Sequence, residues 1–543
     1  MAASYVNLSI DGQLVTNVIL KDICVTRELN HHGWCQISCR HTEDQRLPAL
    51  VGALVEGATG DQAAITAEHW LGKRTQILAV DQGLVEHTLF EGFVLEVDLE
   101  YEIWGSFAVT LTAVTESFKM DQTPRHSYYT AKTLADVAQQ VAANSGLDVK
   151  VNCAPRKALN YAQWGETDFQ FLRRIVDDYG AWMRPTANGL EIYDAFQPGA
   201  TLHWRATSGD DSLRSFIVKG RLVTPSFNGA HYNFHEMQSQ VYNQVSGDTQ
   251  FFDSAGSMVD AVKLGSKDNM PPGYVHQRAR AMTLDEFNQR LKKESVRSLG
   301  SSVNGYGESQ DMEILPGNTV NIGGNLDAQG VYGVTHVTHH WDAQRYSNKF
   351  KCTPWKNYTE PQPPEMQSWL GVVPARVVEH NDPKKMGRIK VQYFWQEGGP
   401  AHWARMITPH AGASRGFMFM PEVGDEVAVA FEDGDLERPY ILGCVWNGVD
   451  QAPRQEFWGD DVEPNDVKRI MTKSGNRIQL VDKPGKESIA MATPKYLKIS
   501  MIENTDETSR SMITVHSENG DIFLSAPNGR IHLRGKYISR EIG

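Results

Sequence analysis

The chain has no run near the roughly 18 consecutive apolar residues that a membrane-spanning helix needs, which excludes such a helix. Its first 20 residues alternate apolar and polar side chains. They lack a basic stretch leading into an apolar core, so they are not read as a secretory signal. Positive charge is in deficit: 53 Lys and Arg stand against 66 Asp and Glu, a net charge of −13 over 543 residues. Nucleic acid is therefore not an expected partner, because a phosphate-binding groove needs clustered cations. Cysteine is sparse, with six scattered residues (Cys24, Cys35, Cys39, Cys153, Cys352 and Cys444) and no CxxC. Cys35 and Cys39 can share a strand face, but strand positions four apart are too distant for a disulfide. Reduced thiols made in cytosol are expected.

What the chain does have is strand patterning, most regular in residues 468–543. Apolar residues recur two apart: Ile478 and Leu480, Ile489 and Met491, Ile513 and Val515, Ile522 and Leu524, Ile531 and Leu533. Leu497, Ile499 and Met501 make a triplet, and Ile538 closes the series. One face of each strand is thus apolar and the other polar. Turn dipeptides separate the strands: Ser474-Gly475, Pro484-Gly485, Asn519-Gly520 and Asn528-Gly529. One copy of so thin a repeat cannot bury its own face, and its edges stay unpaired. An intertwined oligomer is the expected remedy; an ordinary meander packed on the rest of the chain is the alternative.

Residues 1–358 read as two β-rich modules joined by helices. One helix opens at Thr133, with Asp136 as its capping-box partner and Gly146 beyond its end. A second opens at Thr167, places Phe169, Leu172, Val176 and Tyr179 on one face, and ends at Gly180. A third begins at the capping box Thr283-Leu-Asp-Glu286, after an expected run of strands from 181 to about 252. Residues 359–368 form a Pro-rich linker. Residues 369–450 hold five or six short strands, one of them expected at 417–420, a count that suits an OB-fold barrel. An acidic connector, 451–467, leads to the tail.

At these residues the chain resembles the VgrG spike proteins. The likeness rests on Gly387-Arg-Ile-Lys-Val with Phe394-Trp395, Pro421-Glu-Val-Gly-Asp-Glu-Val427, Gly434-Asp-Leu-Glu-Arg-Pro439 and Gly443-Cys-Val-Trp-Asn447 in the barrel. It extends to Lys473-Ser-Gly-Asn-Arg-Ile-Gln-Leu in the tail, and to Gln163-Trp-Gly-Glu-Thr-Asp-Phe-Gln-Phe-Leu-Arg-Arg and Leu315-Pro-Gly317 upstream. The resemblance implies a mainly β protein with some α: tandem β-barrel hub domains, an OB-fold, and an intertwined trimeric β-helix needle. It implies the spike of a contractile injection machine, as in type VI secretion, extracellular contractile particles and myophage tails. The short tail favours the extracellular particle among these.

The partners it implies are two further copies, a PAAR-like tip protein, a hexameric inner-tube protein below the hub, baseplate proteins and effector cargo. Such a protein is made in the cytoplasm without a signal peptide and exported with the particle to the extracellular space or target cell. No effector domain is expected after the tail. The expected needle core is Ile478, Leu480, Ile489, Met491, Leu497, Ile499, Ile513, Val515, Ile522, Leu524, Ile531, Leu533 and Ile538. The expected tip contacts are Ser539, Arg540, Glu541, Ile542 and Gly543.

Enzyme motifs are weak, and no catalytic residue, metal or cofactor is expected. Gly412-Ala-Ser-Arg-Gly416 matches a nucleophile elbow, but that motif needs a helix after the serine, and strand patterning follows instead. The rival reading is a cell-wall hydrolase or esterase using Ser414; a third is a secreted trimeric adhesin. His336, His339 and His340 sit on a strand, with His336 and His340 on one face and His339 on the other, which is not a helical zinc frame. Asp177-Asp178 reads as a solvated helix end. Between barrel and tail only about 20 residues intervene, too few for a glycosidase domain.

Overall fold

The computed structural model describes residues 5–15, 19–40, 70–81, 84–101, 107–204, 212–233, 238–247, 249–252, 256–275, 284–324, 327–342, 345–356, 371–394, 400–434, 438–452, 464–495, 497–503 and 510–539. The Pro-rich linker at 359–368, most of the acidic connector, Thr283, and tip residues Arg540 to Gly543 lie outside these residues. The chain forms two compact units, Met1–Val445 and Trp446–Gly543.

The first unit is built on a 13-stranded sheet. Its amino-terminal half packs Leu8, Ile23, Val25, Ile37, Ile77, Phe90 and Leu111 into one core; its later half packs Leu202, Val320, Ile322, Tyr332, Val337 and Phe350 into another. Alternation explains why each strand feeds a core from one face only. The two halves, expected as tandem barrels, are joined edge to edge. Strand Gly330–Trp341 pairs antiparallel with Ile19–Glu28, placing His336 opposite Glu28 and Trp341 opposite Ile23.

Between the halves, residues 115–195 fold into an α/β insertion with its own core, including Val137, Val141, Phe171, Leu172, Ile175 and Ile192. Both expected helices are present with reciprocal caps. Leu134–Ala143 is capped by Thr133 with Asp136, and Asp168–Tyr179 by Thr167 with Gln170. Gly180 ends the second in the left-handed region at φ 73°, where a side chain would be strained. The helix at Leu284–Gly300 is also present.

The expected run of strands from 181 to 252 is followed by a helix the sequence reading missed, Gly256–Asn269. Gly256 and Gly265 lower its helical propensity. Packing supports it instead, through buried Val259 and Val262 in a cluster with Val223 and Trp355.

Residues 373–444 form a closed barrel of five strands: Val373–Glu379, Ile389–Tyr393, His402–Met406, Glu426–Phe431 and Pro439–Cys444. Four contacts are antiparallel, and the third strand closes on the fifth in parallel. Five strands around one core, with a parallel closure, are the OB-fold. Val373, Ala375, Val377, Val391, Val427, Val429 and Ile441 fill it. The strand expected at 417–420 is absent: Phe417, Met418 and Phe419 follow a two-residue hairpin turn and are exposed. Apolar content there does not mark a core strand.

The second unit contains a five-stranded antiparallel meander, Val467–Met471, Arg477–Val481, Ser488–Ala492, Lys498–Ile502 and Met512–His516. Gly475 and Gly485 take positive φ at two of its turns.

Candidate functional site

The register of the meander lays its apolar residues in two rows on one face. Ile470 faces Ile478, Ile478 faces Met491, Met491 faces Ile499 and Ile499 faces Val515. Alongside run Leu480 opposite Ile489, Ile489 opposite Met501 and Met501 opposite Ile513. The other face carries Arg469, Gln479, Ala490, Ser500 and Thr514 in register.

The apolar face is bare. Leu480 is 40% exposed and Ile513 74%, with the rest of the two rows between them. Isolated exposed leucines need no explanation, but a contiguous sheet face of this kind marks an interaction surface. Ile470 extends the first row; Met471 and Met512 are exposed too, but on the opposite face with Arg469 and Thr514.

The backbone divides the tail at His516. Up to that residue the strands pair within the chain, and among the described residues no strand pairs with the outer edges of Val467–Met471 and Met512–His516. Residues 517–539 make no strand ladder among the described residues, although Ile522, Leu524, Ile531, Leu533 and Ile538 keep the alternating pattern and stand 50–69% exposed. Leu497, at the turn before Lys498–Ile502, is 49% exposed. Ser539 is exposed, and the remaining expected tip contacts, Arg540, Glu541, Ile542 and Gly543, lie outside the described residues.

In the first unit, the motif around Gln163 ties the insertion to the barrel. Trp164 is buried in the barrel core with Val377, Ile389 and Val429. Its neighbours form a polar network: Gln163 Nε2 donates to Asp168 Oδ1 at 2.9 Å, and Arg174 Nε and Nη2 donate to both oxygens of Glu166 at 2.7 Å. Tyr128 and Tyr393 both contact the His402 ring, whose pKa burial pushes down to about 4. Gly317, at φ 87°, lies 3.4 Å (from its would-be Cβ) below the buried Trp182 indole, where a side chain would meet both strain and crowding.

Asp177 corrects the reading of a solvated helix end. It is 5% exposed and accepts from Lys293 Nζ at 2.8 Å and Arg297 Nη2 at 2.7 Å, both on helix Leu284–Gly300. Only Asp178 remains exposed among the pair, at 44% of its side chain. A partner 116 residues away is not visible from local sequence.

The remaining candidates resolve as structure. His339 is buried against Tyr346 Oη at 2.6 Å, while His336 and His340 lie on the opposite face beside Glu28 and Asp22. Burial, followed by the charge of Arg27, pushes the His339 pKa down to about 3, so the ring is neutral. Ser414 sits at φ 55° in the turn of a two-stranded hairpin, Ala411–Gly412 with Arg415–Gly416, and no helix follows it.

A serine–histidine–aspartate set does occur elsewhere: Ser117 Oγ lies 2.8 Å from His32 Nδ1, and Asp121 Oδ2 3.4 Å from His32 Nε2. Ser117 is fully buried and also bonds Thr115 Oγ1 at 3.0 Å, so this set braces the insertion and presents no nucleophile. No group of three or more His, Cys, Asp or Glu suited to a metal ion occurs among the described residues. Among those residues no helix is long and apolar enough to cross a membrane.

A family model of the phage tail baseplate hub matches residues 51–345, and one of the injector OB domain of type VI secretion systems and phage baseplates matches residues 373–446. The actin cross-linking toxin VgrG1 of Vibrio cholerae is 23% identical over 428 residues, covering 70% of this chain and 37% of its own length. The type VI secretion system spike protein VgrG5 of Pseudomonas aeruginosa is 30% identical over 166 residues, covering 27% of this chain and 20% of its own. The chain thus spans well under two thirds of these relatives.

Among solved structures, a chain of the Francisella PdpA–VgrG complex superposes with a TM-score of 0.59 at 8% identity, over 95% of this chain and 81% of that one. An Escherichia coli type VI secretion component described as similar to the T4 tail proteins gp27 and gp5 gives 0.51 at 17% identity, over 81% and 99%.

Proposed function

Because the chain belongs to the phage tail baseplate hub family, we propose that it is the central spike of a contractile injection machine, acting mechanically as a homotrimer. The bare apolar face of the tail meander carries this reading. Three copies turn their faces, from Ile478 to Val515, toward a common axis. Covering the exposed half of each side chain contributes roughly 1 kcal/mol per residue and per chain. Residues 517–539, whose strand pattern finds no ladder among the described residues, pair between copies, which closes their backbone hydrogen bonds. The result is a rigid needle that a contracting sheath drives through a membrane.

The sheet of the first unit supplies the hub. Its two strand-rich halves per chain make six in a trimer, which suits a threefold spike seated on a hexameric inner-tube ring. The OB barrel, fastened through Trp164, transmits load from hub to tail. A PAAR-like tip protein on residues 539–543, baseplate proteins around the hub and effector cargo complete the partners. The domains are then a hub at 1–358, a linker at 359–368, the OB barrel at 369–450, a connector at 451–467 and the needle at 468–543. The spike leaves the producing cell with the particle. Ser414 has no part in this work, and the toxin activity in one relative's name is not transferred to this chain.

Light scattering on the intact protein tests the reading. A mass three times that of one chain is expected, falling to one chain in the Ile489→Asp, Ile499→Asp variant. A soluble wild-type monomer at micromolar concentration overturns it.

A further inference from the structure

The tail differs from the rest of the chain in charge. Residues 468–543 contain 13 Lys and Arg against 8 Asp and Glu, a balance of +5 on a chain whose total is −13. The contrast sharpens toward its far part. From 522 to 540 there is no Asp or Glu, while Arg530, Arg534, Lys536 and Arg540 are cationic. Two aromatic residues share this segment out of phase with its apolar pairs: Phe523 between Ile522 and Leu524, and Tyr537 beside Ile538. They are 90% and 85% exposed, more than any of those pair residues. Arg530, His532 and Arg534 alternate with Ile531 and Leu533 in the same sense. When the apolar pairs turn to a shared axis, the outer surface is left with Phe523, Arg530, His532, Arg534 and Tyr537.

We propose that this outer surface of residues 522–539 is a binding collar for anionic lipid membranes, with the cations on headgroup phosphates and the two aromatic rings at the headgroup level. Cations near an anionic bilayer are attracted by its surface potential, and amphipathic aromatic rings favour the same depth. The Lys536 ammonium lies 5.7 Å from the Tyr537 ring centroid, so charge and ring approach the surface together. A nucleic acid matches the cations equally, so an oligonucleotide is the competing ligand in the test. The inference rests on the spike reading for the presentation of three copies together; the charge segregation is a property of the single chain.

Vesicle co-sedimentation of the full-length protein tests it, with phosphatidylcholine vesicles set against vesicles that also contain phosphatidylglycerol. Binding to the anionic vesicles alone is expected, weakening as salt rises. Each cation at the surface contributes roughly fivefold in affinity, so Arg530→Gln, Arg534→Gln, Lys536→Gln together reduce it by about a hundredfold. Replacing both arginines by lysine preserves binding, which separates loss of charge from loss of fold. Phe523→Ser with Tyr537→Ser leaves the anionic preference and lowers the affinity at high salt.

Equal binding to both vesicle types, an unchanged glutamine variant, or tighter retention by a single-stranded oligonucleotide at equal phosphate overturns the collar. Light scattering on the same samples keeps the two readings apart. A trimer that ignores anionic vesicles sinks the collar alone, whereas a monomer sinks the spike.

Discussion

Replacing Asp177 by alanine tests how the α/β insertion is held to the helix Leu284–Gly300. The carboxylate is buried and bridges Lys293 and Arg297, the latter itself 4% exposed. Removing one partner of a buried ion pair costs about 3–5 kcal/mol, because the surviving charge is left in a poorly solvating interior. Arg297 keeps Glu294, at 2.9 and 3.2 Å, which places the loss near 3 kcal/mol, the lower end of that range.

A chain this large need not unfold in one step, so local hydrogen exchange is the better assay. Amides of Asp168–Tyr179 and Leu284–Gly300 should exchange roughly a hundredfold faster in the variant, while those of the barrel at 373–444 are unchanged. Asp177→Leu with Arg297→Met, which removes this ion pair and leaves Lys293 beside Asp178, should restore part of the protection. A change of less than about fivefold in the single variant would mean the pair behaves like an exposed one, and would refute the reasoning.

Three further outcomes are expected. Asp382 accepts from Arg388 Nη2 at 2.7 Å and from the backbone N–H groups of Lys384, Met386 and Arg388 at 2.8–3.2 Å, and these bonds, the arginine's first, hold its carboxyl well below the usual range. Asp382→Ala should cost the barrel about 2 kcal/mol in urea melts at neutral pH. Since the folded pKa is depressed, that contribution is full above the unfolded value of about 3.9 and is lost as pH falls further, so the two proteins should converge in strong acid.

The lowered pKa of His339 acts between about 6.5 unfolded and about 3 folded. The unfolded chain takes up the proton first, so the sheet loses up to about 1.4 kcal/mol per pH unit on acidification below 6.5. His339→Gln should flatten that slope in thermal melts at pH 7 and 5, while His402 contributes with the same sign in the barrel. Met491→Asp, in the middle of the tail's apolar face, should abolish oligomers while leaving near-ultraviolet circular dichroism of the first unit unchanged.

What could be read from the sequence was mostly what is settled within a few residues. Thr133 with Asp136 caps its helix through side chains three positions apart, Thr167 opens the next, and Gly180 ends it because φ there is positive. The barrel was legible because its strands alternate without interruption. The pairs of the tail were legible for the same reason, while Ile470, which has no apolar residue two positions away, was not.

What could not be read depends on distant partners. The helix Gly256–Asn269 owes its formation to Val223 and Trp355 rather than to its own glycine-bearing sequence. Asp177 looked solvated until Arg297 was placed beside it. Phe417 and Phe419 show the converse: apolar residues that no core claims.

The pairing of Gly330–Trp341 with Ile19–Glu28 has a consequence for biosynthesis. Glu28 leaves the ribosome some 300 residues before its partner His336, about 15–60 s at about 5–20 residues per second. Throughout that interval the strand Ile19–Glu28 can pair with Trp34–Arg40 on one side but has an open edge on the other. An open edge recruits other nascent chains, and polysomes hold many copies close together. Production of this protein should therefore be sensitive to translation rate and to holding chaperones, and slowing the ribosome between codons 40 and 330 should lower the soluble yield more than slowing it after codon 345.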